Sequence, residues 1–119
     1  MSSSYAAWRA RLAEANDPKF WPIEALDRLI EEGDAQFWAD NEGALLTRMV
    51  SYPGGAIAVE TLAGAGTIEA LAAMTPAIND WALTQGATHL LVLGRPGWAR
   101  ALSGWRHHQS ILIKEVAHG

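Results

Sequence analysis

Ile57-Ala58-Val59-Glu60-Thr61-Leu62, then Ala63-Gly64-Ala65-Gly66, then Thr67-Ile68-Glu69-Ala70-Leu71 is the stretch on which the fold turns. Its first part is β-branched and apolar, interrupted by one carboxylate, as a strand is. The glycine-rich part ends that strand and opens a helix near Thr67, a favourable N-cap residue. From there Ile68, Leu71, Met74 or Thr75, Ile78, Trp81 and Ala82 keep helical spacing as far as Gln85, and Gly86 supplies the stop. Pro76 falls inside this pattern and predicts either a kink or a fresh start capped by Thr75. Thr88-His89-Leu90-Leu91-Val92-Leu93 follows as a continuous apolar run, the pattern of a strand buried on both faces. Strand, long helix and strand in this order predict a right-handed parallel crossover.

Upstream, Pro53-Gly54-Gly55 is a tight reversal out of the strand Ala44–Tyr52, and Asn41-Glu42-Gly43 is a turn out of the short strand Gln36-Phe37-Trp38-Ala39. Three sequential strands joined by turns imply an antiparallel meander. Two helical patterns precede it, from about Ser4 to Ala15 and from about Pro22 to Glu32, separated by Asn16-Asp17-Pro18. Tyr5, Trp8, Leu12 and Ala15 stripe the first; Ile23, Leu26, Leu29 and Ile30 stripe the second, leaving Asp27 and Glu31 toward water. Downstream, Trp98 to Ser103 reads as a short helix and Gln109 to Val116 as a closing strand. The order ααβββαβαβ describes a single domain over 1–119 of the α/β (α+β) class: two N-terminal helices and a mixed sheet with one parallel βαβ crossover.

Composition narrows the function. The chain has 119 residues, 50% of them apolar, and no cysteine. That excludes disulfides, a thiolate nucleophile and cysteine-ligated metal. Nine Lys and Arg against 13 Asp and Glu give a charge of −4, which argues against nucleic acid as a partner. No apolar run reaches the roughly 18 residues of a membrane span, and the N-terminus lacks a signal-peptide core, so the expectation is a soluble protein of the cytoplasm.

With its glycine-rich segment between the third strand and the long helix, this order resembles the GNAT family of acyl-CoA-dependent N-acyltransferases. The resemblance spans about Pro22 to Val116. The family's pyrophosphate loop, Gln/Arg-x-x-Gly-x-Gly/Ala, is matched by Thr61-Leu62-Ala63-Gly64-Ala65-Gly66, with Thr61 in place of the leading residue. Gly94-Arg95-Pro96-Gly97-Trp98-Ala99-Arg100-Ala101-Leu102, then Gly104-Trp105, is similar to the family's last helix and the turn after it, without the tyrosine many members place there. What the resemblance implies is an acetyl-CoA cofactor held by Leu62, Gly64, Ala65, Gly66 and Thr67, with Arg95 and Arg100 reaching its phosphates. The Gly94–Trp98 stretch also resembles small, divergent members associated with phages and prophages. Two functions follow: an N-acetyltransferase of unknown acceptor, or a catalytically silent scaffold acting through protein contacts, as a homo-oligomer or with a virion or host protein. The second adds a virion-associated location to the cytoplasmic one.

The residues carry their own alternatives. Amides at the start of the helix suit an anion, and glycine permits close approach; equally, Gly64 and Gly66 make an ordinary strand-to-helix turn. Glu60 is the candidate general base, beside the cofactor loop; equally, it is a carboxylate on a solvated sheet face. Arg95 and Arg100 are phosphate ligands or solvated charges. Tyr52, at the far end of its strand, and Tyr5, in the first helix, do not suit the acid role. His89 reads as an edge or capping residue, and His107 with His108 as neighbours too divergent to share a metal, so no metal site is expected. Of the tryptophans at 8, 21, 38, 81, 98 and 105, most belong to the core and one or two mark a partner surface.

Overall fold

The computed structural model describes residues 3–92, 102–109 and 111–116. Within them the chain forms α1 (Ser3–Ala15), α2 (Ile23–Glu31), β1 (Gln36–Ala39), β2 (Gly43–Ser51), β3 (Ile57–Gly66), α3 (Ile68–Thr84) and β4 (His89–Leu91). The sheet runs β1-β2-β3-β4. Its first two pairings are antiparallel, and β4 joins β3 in parallel after the crossover through α3. Meander and crossover are therefore as the periodicities predict. No helix among the described residues is long and apolar enough to cross a membrane.

The alternation of side chains along a strand splits the apolar residues between two cores. Leu45 and Val59 point to one face, where Leu71, Met74, Ile78 and Ala82 of α3 cover them and Leu102 completes the cluster. Leu46 and Ala63 point to the other, under Tyr5 and Leu12 of α1 and Leu26 of α2. Trp38 and Trp81 meet edge to face at 5.6 Å on the α3 side, and Tyr5 meets Phe37 in the same way at 5.5 Å on the other. Trp105, half-buried, also packs on the α3 core.

Four expectations are corrected here. The glycine-rich segment is strand: β3 continues through Gly66, because Ala63 to Gly66 pair with Leu46 to Gly43. The register slips between Leu46 and Thr47, so that Thr47 pairs with Thr61 but Leu46 with Ala63, leaving Leu62 as the extra residue of a β-bulge. β4 is only three residues long and half exposed, since no further strand covers its outer edge among the described residues. Helix α3 runs continuously through Pro76, so of the two readings there the fresh start capped by Thr75 is not made; Pro76 lies on the exposed side, and the Thr75 hydroxyl donates to the Leu71 carbonyl at 3.0 Å. No closing strand forms among the described residues: 109 and 111–116 carry no regular structure, and Ile111, Leu112, Ile113 and Val116 are 67%, 93%, 73% and 84% exposed. The proposed short helix from Trp98 lies mostly outside the described residues.

Asp27 does not face water. Arg9 grips it through two nitrogens, Nη2 at 2.7 Å and Nε at 3.0 Å, and the Tyr5 hydroxyl donates to it at 2.7 Å. These bonds latch α1 to α2.

Candidate functional site

Beyond Glu60, β3 loses its parallel neighbour: the last pair is Glu60 with Leu91, and no described strand pairs with that edge from Thr61 to Gly66. A cleft of about 1040 Å³ opens along this edge. The β3 residues Thr61 to Gly66 and the start of α3 form one wall; Arg11, Asn16, Phe20 and Trp21, from the end of α1 and the loop after it, form the opposite one. Val92 and Ile111 to Ile113 close a further side. All of Leu62, Gly64, Ala65, Gly66 and Thr67 thus line one cavity.

Each contributes differently. Gly64 faces Leu45 across the ladder and, having no side chain, leaves backbone open to the cleft; a Cβ there would come within 2.9 Å of the Leu45 Cδ2. Gly66 has φ +108°, and a Cβ would run into the Glu42 carbonyl. Its glycine is fully explained by that crossing. Thr67 caps α3, its hydroxyl accepting from the Ala70 amide at 3.1 Å, while its own amide donates to Glu42 at 3.2 Å. The first-turn amides of Ile68 and Glu69 have no intrahelical acceptor. The segment thus offers a strand edge, one bare glycine and a helix N-terminus in sequence along the cavity. Its charge is mixed: Arg11 lines the cleft, as do Glu14 and Asp17. Arg95 and Arg100 lie outside the described residues. The Asn16 side-chain amide nitrogen is buried in this wall with no hydrogen-bond partner among the described residues.

Glu60 stands at the point where the strands part, on the α1/α2 face of the sheet, adjacent to the first cleft residue, Thr61. It is not isolated. Arg48, its partner across the hairpin, brings Nη2 to 3.9 Å from Oε1, and the Tyr52 hydroxyl donates to Oε2 at 3.2 Å. The guanidinium of Arg48 lies over the Trp21 ring, 5.2 Å from its centroid, so Trp21 is shared between this cluster and the cleft. Partial desolvation, then the Glu60 charge, push the Tyr52 phenol above its ordinary value. The bond from Tyr52 to Glu60 was not foreseen from the sequence: both residues lie on the same face of the hairpin, and the long phenol side chain spans the distance between them. Arg48 was missed altogether, and Trp21 was read only as a core or partner-surface aromatic. Arg48 had one readable signal: counting outward from the turn at Pro53-Gly54-Gly55 puts it opposite Glu60.

His89 opens β4, exposed, its Nδ1 2.8 Å from the Thr88 hydroxyl. Among the described residues no group of three or more His, Asp or Glu side chains gathers into a metal site.

No protein-family model and no curated protein matches the chain. Solved structures do. TTHA1254 from Thermus thermophilus superposes with a TM-score of 0.58 as wild type and 0.61 as a point mutant, at 19% identity over 95% of this chain and 93% of that one. A ribosomal-protein-alanine N-acetyltransferase from Brucella melitensis biovar Abortus 2308 gives 0.61 at 15% identity, over 93% of this chain and 91% of that one. The chain has a GNAT-like fold. In this GNAT-like domain the parted strands, the bulged β3 and the start of α3 surround one cavity.

Proposed function

We propose that this GNAT-like domain is an acyl-CoA-dependent N-acyltransferase whose cofactor lies along the free edge of β3. One observation carries the reading: β3 runs on to Gly66 after β4 has ended, and the space this leaves is a cleft lined by Leu62, Gly64, Ala65, Gly66 and Thr67. The likeness in fold to an N-acetyltransferase supports it. The residues present fit such a molecule. The open strand edge suits an amide-bearing chain, Gly64 admits it closely, and the Ile68 and Glu69 amides suit phosphate. Arg11 adds a positive charge, opposed by Glu14 and Asp17 on the same rim.

An acyl thioester supplies the acyl group: the acceptor nitrogen bonds to the carbonyl carbon as the carbon–sulfur bond breaks, and the sulfur takes up a proton. The protein's part is to hold the acceptor and remove its proton. Glu60 takes that role, at the mouth between the parted strands, with the Tyr52 hydroxyl holding one of its oxygens and Arg48 close to the other.

Calorimetry with CoA and acetyl-CoA tests the reading, followed by thiol release across an amine panel. Glu60→Gln is expected to keep CoA affinity and to lower transfer roughly a hundredfold. No heat and no thermal shift at millimolar CoA would end the cofactor reading. A second reading, a scaffold working through protein contacts, including a virion or host-interaction role, is favoured by the exposed Ile111 to Val116 segment. It gains if CoA does not bind and light scattering shows assembly.

A further inference from the structure

We infer that the acceptor held at Glu60 is a zwitterion of the amino-acid type, its carboxylate received by Arg48. This rests on the reading of Glu60 as the acceptor end of the cleft. Arg48 is the least satisfied cation of the cluster. Its ion pair with Glu60, at 3.9 Å, is too long for a hydrogen bond. Its Nε is buried with no acceptor among the described residues. One face is covered by Trp21, which orients the guanidinium without using its N–H groups. Nε itself is beyond a ligand's reach, but the Nη groups at the end of the fork, on a side chain 36% exposed, are matched to a carboxylate.

Glu60 supplies the opposite requirement, a carboxylate steadied by Tyr52 and 23% exposed. An α-amino acid carries its ammonium and carboxylate on one carbon and meets both charges of the pair at once. A plain amine would leave Arg48 unsatisfied and be repelled by it; a plain acid would meet the same fate at Glu60. Trp21 forms a wall of both the cluster and the cleft, so a molecule bound here adjoins the proposed cofactor path.

Direct binding tests this without the cofactor. Alanine, phenylalanine, their decarboxylated amines ethylamine and phenethylamine, and propionate are titrated into the full chain by calorimetry. At least one amino acid is expected to bind about tenfold or more tighter than its amine, a difference of about 1.4 kcal/mol, with propionate weaker still. Arg48→Gln should erase the preference and Arg48→Lys, which keeps the charge but not the fork, should retain part of it. Circular dichroism of both variants guards against misfolding. Equal binding of acid-bearing and plain amines, a preference that survives Arg48→Gln in a folded variant, or no amino-acid binding at millimolar concentration would each overturn the inference. Amino-acid binding without CoA binding would keep the amino-acid site at Arg48 and Glu60 and overturn the acyl-transfer reading, and with it the role of acceptor.

Discussion

Gly64 and Gly66 are interchangeable in the sequence motif but face different demands in the fold. At Gly66 both the positive φ and the Glu42 carbonyl forbid a side chain. Gly66→Ala is expected to destabilise the domain by about 2 kcal/mol or more, a strained-backbone cost with a clash added. At Gly64 only the end of the Leu45 side chain stands in the way. Gly64→Ala should stay within about 1 kcal/mol of the wild type yet weaken CoA binding severalfold. Urea denaturation beside CoA titration separates the two, and a Gly64→Ala protein that binds CoA normally would remove Gly64 from the cradle. Reading these glycines as a turn failed because backbone pairing with β2 outweighed their poor strand propensity. The bulge at Leu62 was equally illegible, since a register slip leaves no trace in local composition. Before the slip the register is countable from the turn, which is why the Arg48 and Glu60 pair could have been found.

Helices α1 and α2 stand where the sequence places them, and Tyr5, Leu12 and Leu26 of their stripes are buried while Ala15 is not; their mutual attachment was not legible, because it joins residues far apart in the chain. The latch gives a pH signature. Arg9 hydrogen bonding, working against desolvation, holds the Asp27 carboxyl below its usual 3.8. Burial first, then the bond to Asp27, pushes the Tyr5 phenol above its usual 10.0. A depressed carboxyl stabilises the fold above its unfolded-state value and loses that contribution as pH falls through the folded one. A raised phenol stabilises the fold below its own unfolded-state value and loses that contribution as pH climbs past it. The latch therefore contributes fully from about pH 4 to about pH 10 and fails on either side. Asp27→Asn should cost about 1–3 kcal/mol at neutral pH. It should also flatten the acid limb of stability measured by denaturation from pH 6 down to pH 2. An acid limb unchanged in the variant would show that other carboxylates govern it.

Across the molecule, the described residues form one sheet with a core on each face, and the apolar residues of 111–116 belong to neither. Leu46, fully buried under α1 and α2, should cost about 2–5 kcal/mol on replacement by alanine. Ile111→Ser, Leu112→Ser and Ile113→Ser should each change stability by no more than about 0.5 kcal/mol, despite removing equally apolar groups; chemical denaturation of the four variants tests the contrast. The segment was read as a strand because its residues favour strands, a preference that decides nothing until a neighbouring edge accepts the pairing. The free edge of β3 gives that point a wider consequence. A sheet edge left open beside exposed Ile, Leu and Val is what recruits an uninvited strand from another molecule. Whatever settles along β3 from Thr61 to Gly66 also caps the sheet. A ligand along this edge is therefore expected to lower aggregation as well, which light scattering with and without CoA checks.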